Sequence, residues 1–148
     1  MSAYLDALKM LARRELSEAQ IRQRLSRRGE SPASIDDAIA RLKADRSLDD
    51  ERVAGAIART ETSVRGRGKR RVLQQIEAAG IATSIAARAV DDVFRDVDAD
   101  ALLSASLSKR LRGRARIADD REFQRLYRYL TAQGFDSDRI LTHLKKHR

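Results

Sequence analysis

The sequence predicts an all-α fold built from three tandem three-helix repeats, and three observations predict it. The 148 residues include one proline and are rich in Ala, Leu, Arg, Glu and Gln, all good helix formers. Apolar residues recur at helical spacing almost everywhere. Gly29, Gly80 and Gly134 stand at equivalent places in three similar segments, about 50 residues apart.

The elements follow in order. A first helix over about residues 2–14 takes its apolar stripe from Leu5, Leu8 and Leu11 with Ala12. Ser17 with Gln20 reads as a capping box, opening a helix that carries Ile21 and Leu25. Gly29 closes it, because glycine adopts the left-handed C-cap conformation at little cost. Ser31 and Pro32 read as N-cap and first residue of a third helix, with Ile35, Ile39 and Leu42 facing inward.

The pattern then repeats. Asp49 is a candidate N-cap for a helix over 50–63. Residues 65–68 connect it to a helix over 69–79 carrying Val72 and Ile76, which ends at Gly80. Ala86, Val90 and Val93 follow at the spacings of Ile35, Ile39 and Leu42. In the third copy a helix over 99–111 precedes a capping box at Asp119 and Glu122, then Leu126, Leu130 and Gly134. From the candidate N-cap Asp136, the last helix places Ile140, Leu144 and His147 at the same inward positions. The expected units are 1–47, 48–97 and 98–148. Units stacked in a row make an elongated, curved body, with little contact between the first and the third.

Composition narrows the function. No apolar run approaches the ~20 residues a membrane helix needs, and no signal-peptide pattern opens the chain. The absence of cysteine fits a reducing cytoplasm and excludes disulfide frameworks and thiolate metal sites. A net charge of +9 and a pI near 10.6 point to a polyanionic partner. The plain alternative is a basic soluble protein with no such partner.

Neither catalysis nor a cofactor is expected. A Walker phosphate loop needs Gly-x-x-x-x-Gly-Lys-Ser/Thr after a strand; here Arg70 follows Gly68-Lys69, and Ser63 stands where the first glycine belongs. The only histidines, His143 and His147, share a helix face but lack a third ligand and a glutamate base. Asp91, Asp92, Asp96, Asp98 and Asp100 follow no EF-hand spacing and read as a hydrated junction between the second and third units.

The basic residues are the informative set. Five of the seven positions 65–71 are cationic: Arg65, Arg67, Lys69, Arg70 and Arg71. So are five of the eight positions 109–116: Lys109, Arg110, Arg112, Arg114 and Arg116. Arg13 and Arg14, then Arg22, Arg24, Arg27 and Arg28, decorate the first unit. A set of solvated helix faces explains this charge as well as a docking surface does. Sequence-specific DNA reading by the last helix of each unit does not fit. Asp36 and Asp37 in the first unit, and Asp91 and Asp92 in the second, would repel phosphates.

Several stretches taken together resemble one family. They are ARREL-S around Ser17, LDDERVA at 48–54, the GxG-basic segment at 66–71 and the GF turn at 134–135. In this order and spacing they are similar to the RecX family of bacterial regulatory proteins, across essentially the whole chain. Two positions depart: Lys69 stands where the family often has proline, and the usual tryptophan near the start of the third unit is absent. The resemblance implies a non-enzymatic regulator of the RecA recombinase in DNA repair, recombination and the SOS response. Such a protein lies in the groove of the RecA–DNA filament and restrains its ATPase, strand-exchange and coprotease activities. It also implies RecA and its filament as partners, with weak direct DNA binding, and a cytoplasmic monomer. Residues 65–71 are then expected to be a solvent-exposed basic junction, part hinge and part docking surface. The other basic residues named above are the remaining docking candidates.

Overall fold

The computed structural model describes residues 2–148. Among them lie nine α-helices and no strand: α1 Ala3–Arg13, α2 Glu18–Arg27, α3 Pro32–Ala44, α4 Asp50–Arg59, α5 Lys69–Ala78, α6 Thr83–Phe94, α7 Ala99–Leu111, α8 Asp120–Ala132 and α9 Ser137–Lys145. α4 runs on into a π-helical turn, Thr60–Val64. No helix among the described residues is long and apolar enough to cross a membrane.

Local chemistry sets the helix ends. Ser17 and Gln20 form the full capping box at the start of α2. Ser31 caps α3 with Pro32 at its first position, and Asp49 caps α4 through two backbone amides. Only half of the box expected at α8 forms. Asp119 accepts from the Glu122 amide, but the Glu122 carboxylate turns to the Ala118 amide at 2.8 Å and to Arg114. Asp136 is the N-cap of α9 without a side-chain capping bond. Gly29, Gly80 and Gly134 adopt φ of 87°, 80° and 100° at the ends of α2, α5 and α8, a region an L side chain enters only under strain.

Burial groups the apolar residues into three cores. Ile21, Leu25, Ile35, Ile39 and Leu42 lie in the first. Val72, Ile76, Ala86 and Val90 lie in the second, and Leu126, Leu130, Ile140 and Leu144 in the third. The stripe expected on α1 is misplaced. Leu5 is 48% exposed, and Ala3, Ala7 and Met10 form the buried line. Small residues there let α1 approach its neighbours closely, with Leu8 and Leu11 packing at the flank. In α6 the inward position passes from Val93, half-buried, to Phe94.

The cores are linked by two joints of one design. In the first, the start of α2 meets the end of α5: Ser17 Oγ donates to the Ala79 carbonyl, and the Glu18 amide donates to Asp50 Oδ1 at 2.9 Å. In the second, the start of α5 meets the end of α8: the Gly68 amide donates to the Gln133 carbonyl at 2.9 Å and the Arg70 amide to the Gly134 carbonyl at 3.2 Å. The N-cap residue of one middle helix thus reaches the C-cap carbonyl of the next, twice. Among the described residues, backbone hydrogen bonds between units run only between neighbours, an arrangement that leaves much surface outside. The chain exposes 9172 Å², against about 7600 Å² for a compact monomer of its 16.7 kDa.

Candidate docking surface

The three basic segments end up in different settings. In the first unit Arg13 and Arg14 close α1 just before α2 begins, whereas Arg27 and Arg28 lie at its far end. The ten residues of α2 separate the two groups by about 15 Å, so they form no single patch. Arg24 and Arg27 are exposed. Arg28 approaches the buried Asp6 at 3.7 Å, and Arg22 is tied to Glu18 at 2.9 Å and Asp36 at 2.7 Å.

At 65–71 the expectation of a solvated hinge is corrected. The amides of Arg65, Gly66 and Arg67 bond back to the carbonyls of Thr60, Thr62 and Glu61, and Gly68 and Arg70 bond to the third unit. A chain so bonded is a locked joint. Two of its five cations are also inside it. Arg67, with 18% of its side chain exposed, faces the buried Glu61 at 3.6 Å, and Arg65 lies 3.9 Å from the same carboxylate. Arg71 is half-buried and donates to the Ala132 carbonyl at 3.2 Å. Glu61 Oε2, Thr62 Oγ1, Arg67 Nε and Arg71 Nε are buried there without hydrogen bonds, so the Glu61 pairs with Arg65 and Arg67 are not fully bonded. The buried Glu61 carboxylate draws the Arg65 and Arg67 guanidiniums toward it, since an unpaired buried charge is costly. Arg65, Lys69 and Arg70 remain exposed.

Beside the exposed cations lies a groove of about 680 Å³ between the second and third cores. Leu73, Val90, Phe94, Val97 and Phe135 supply its apolar lining, with Lys69, Arg70 and Arg139 among the charged residues around it. Lys69 Nζ stands 5.6 Å from the centre of the Phe94 ring, within cation–π range. The acidic run of the sequence meets this groove. Asp98 caps α7, and Asp100 pairs with Arg139 at 2.9 Å and His143 at 3.2 Å. The hydrogen bond from His143, with that from Arg139, holds the Asp100 carboxyl below its ordinary range. His147 contacts the Ala115 carbonyl at 3.0 Å, so the two histidines have different partners.

In the segment 109–116 all five cations are exposed, and some of them are tied to partners within the chain. Arg114 forks onto Glu122 at 3.0 and 2.6 Å, and Arg116 donates to the Arg148 carbonyl at 2.9 Å. The Arg114 bonds, with the Ala118 amide, lower the Glu122 carboxyl to about 2. Arg110 stacks on Tyr129 at 3.8 Å. Lys109 and Arg112 line a cavity of about 590 Å³ with Arg125, Leu126 and Tyr129.

Sequence reasoning missed the groove and Glu61. The pairing of elements some 60 residues apart, which brings Phe94 and Phe135 to one groove, leaves no local period to detect. The one available signal was Glu61 itself, a lone acid placed four and six residues before Arg65 and Arg67.

Comparison with known proteins places the chain. The model of the first three-helix domain of RecX matches residues 3–42. The regulatory protein RecX of Halorhodospira halophila is 32% identical over 135 residues, covering 90% of this chain and 81% of that one. RecX of Syntrophotalea carbinolica is 31% identical over 148 residues, 99% of this chain and 96% of the relative. The crystal structure of RecX from Lactobacillus salivarius superposes with a TM-score of 0.75 at 19% identity, over 97% of this chain and 94% of that one.

Proposed function

The chain belongs to the RecX family, and on that premise we propose that it regulates the RecA recombinase by docking on the RecA–DNA filament. It acts there without catalysis, as a monomer in free solution, restraining the ATPase, strand-exchange and coprotease activities. Residues 1–47, 48–97 and 98–148 are taken as the three units that spread the contact along the filament groove. Linked weak contacts of this kind multiply affinity.

One observation carries the reading. The groove at the second joint sets an apolar floor, Leu73, Phe94 and Phe135, beside the exposed Lys69 and Arg70. A track for phosphates needs only the cations; an apolar recess edged by Lys69, Arg70 and Arg139 and also by Asp91, Asp98 and Asp136 suits a protein partner with an apolar anchor and a surround of both charges. The exposed Arg65, Lys69 and Arg70 form the centre of the docking surface. Arg13, Arg14, Arg24, Arg27, Arg28, Lys109, Arg110 and Arg112 extend it, with the exposed Arg114 and Arg116 beside them, while the half-buried Arg67 and Arg71 shape it from within.

The test is RecA's DNA-dependent ATPase titrated with this protein at fixed salt. Inhibition at amounts well below those of RecA is expected, and an ATPase indifferent to the protein would refute the proposal. A second reading, a stand-alone DNA-binding protein, is favoured by the 590 Å³ cavity, where cations surround the Arg110–Tyr129 stack. It demands steeply salt-dependent binding to bare DNA that is indifferent to RecA.

A further inference from the structure

We propose that copies of this chain join end to end, the Arg27–Arg28–Gly29 turn of one receiving the Asp119–Asp120 start of α8 from the next. The contact is the joint that the chain already uses twice internally. In both internal joints the arriving helix packs against the glycine of the receiving turn, burying Gly134 and leaving Gly80 exposed but with no room for a side chain. A Cβ on Gly80 would lie 2.5 Å from the Ala19 Cβ, and one on Gly134 would lie 2.4 Å from the Arg71 amide nitrogen.

Three middle helices have three starts and three glycine turns, and two joints use two of each. One turn and one start are left over. The free turn is that of Gly29, which has a similar positive φ of 87° with nothing among the described residues within 4 Å of a Cβ. The Glu30 amide bonds to the Leu25 carbonyl at 3.1 Å there, as the Phe135 amide bonds to Leu130 at 3.2 Å in the covered third turn. The free start is that of α8.

Charge separates the free ends from the used ones. The two residues before the glycine are Ala78–Ala79 and Ala132–Gln133 in the used turns, but Arg27–Arg28 in the open one. The N-cap and the residue after it are Ser17–Glu18 and Gly68–Lys69 in the used starts, but Asp119–Asp120 in the free one. All four of these charged residues are exposed. Arg28 meets Asp6 at 3.7 Å with 56% of its side chain exposed, Asp120 meets Arg148 at 3.1 Å with 89% exposed, and Asp119 Oδ1 accepts from the Glu122 amide at 2.8 Å. A terminal repeat needs a polar outer face simply to stay soluble, but solubility does not call for opposite signs at the two ends. Opposite signs favour head-to-tail contact over either symmetric pairing. Such a contact is heterologous and does not close, so it continues the internal repeat as an open string. Two charge pairs leave the free protein monomeric at ordinary concentration. Held in a row on a common lattice, the copies meet at high effective concentration and bind cooperatively.

The chain has no cysteine, so directed cross-linking is unambiguous. Ser26→Cys and Gln124→Cys, both at exposed positions near the two ends, are prepared separately, mixed at low salt without RecA or DNA, and coupled with a short bismaleimide. Mixed pairs should outnumber either same-variant pair about fivefold, and the excess should vanish at high salt. Adding Arg27→Glu and Arg28→Glu to the Ser26→Cys chain should abolish the excess, and Asp120→Arg in its partner should restore it. Circular dichroism confirms that each variant is folded. Random coupling, in which mixed pairs only equal the two same-variant pairs together, overturns the proposal. So does an excess that survives the charge reversal.

Discussion

The two internal joints share a design but differ in material. The first is made largely by side chains: the Ser17 hydroxyl, the Asp50 carboxylate and the pairing of Arg52 with Glu15 at 2.8 Å. The second is made by backbone, with Gly68 and Gly134 in contact and two amides donating across. A side-chain joint loses one bond at a time when a group is trimmed. A backbone joint has no atoms to trim and fails when any are added. This contrast makes the second joint the rigid one, and the groove proposed for docking is built on it.

The largest effect is therefore expected from the smallest additions. Gly68 has an ordinary φ of −79°, but a Cβ there would lie 2.5 Å from the Gly134 carbonyl oxygen. Gly68→Ala adds overpacking alone, about 1–3 kcal/mol. Gly134→Ala adds left-handed strain to a comparable clash, about 2–4 kcal/mol in all. Thermal melts should fall by about 10 °C for Gly134→Ala. A melt unchanged in both variants would mean that the second joint is not the rigid one.

At the first joint, Ser17→Ala removes both the bond to Ala79 and the cap on the Gln20 amide. Its cost should be about 1–2 kcal/mol, below that of Gly134→Ala. Smaller still is Gly29→Ala, where the new Cβ meets open space and only the backbone strain of about 1 kcal/mol remains. Denaturant titration that reversed this order, with Gly29→Ala costing more than Ser17→Ala, would break the comparison.

These differences also show what was legible in the sequence. Caps, glycine turns and core positions are written locally, in residues three to eight apart. Ser17–Gln20, Ser31–Pro32 and the three glycines could be read directly. The half-formed box at α8 could not, because Glu122 is drawn away by Arg114, eight residues earlier. Leu5 was assigned inward because leucine is apolar, yet Ala3 and Ala7 permit the closer packing. Both joints, and the burial of Arg67 and Arg71, depend on groups that meet only after folding. Of the candidate docking residues, the sequence supplied the charge but not the division between cations that face solvent and cations that hold the joint.

That division supplies the most direct measurement. Arg65→Ser, Lys69→Ser and Arg70→Ser are combined in one variant, Arg67→Ser and Arg71→Ser in another, and each is assayed for binding to RecA–DNA filaments and for thermal stability. The first variant should lose less melting temperature than the second, Arg65 being the farther partner of Glu61, and bind filaments about tenfold more weakly, since three exposed contacts together are worth about 1.4 kcal/mol. Its affinity for bare DNA should fall less. The second should melt several degrees lower, about 1–3 kcal/mol, by removing the nearer partner of the buried Glu61 and the Arg71 bond to the Ala132 carbonyl. Undiminished filament binding and ATPase inhibition by the first variant would contradict the account and move the docking surface away from the second joint.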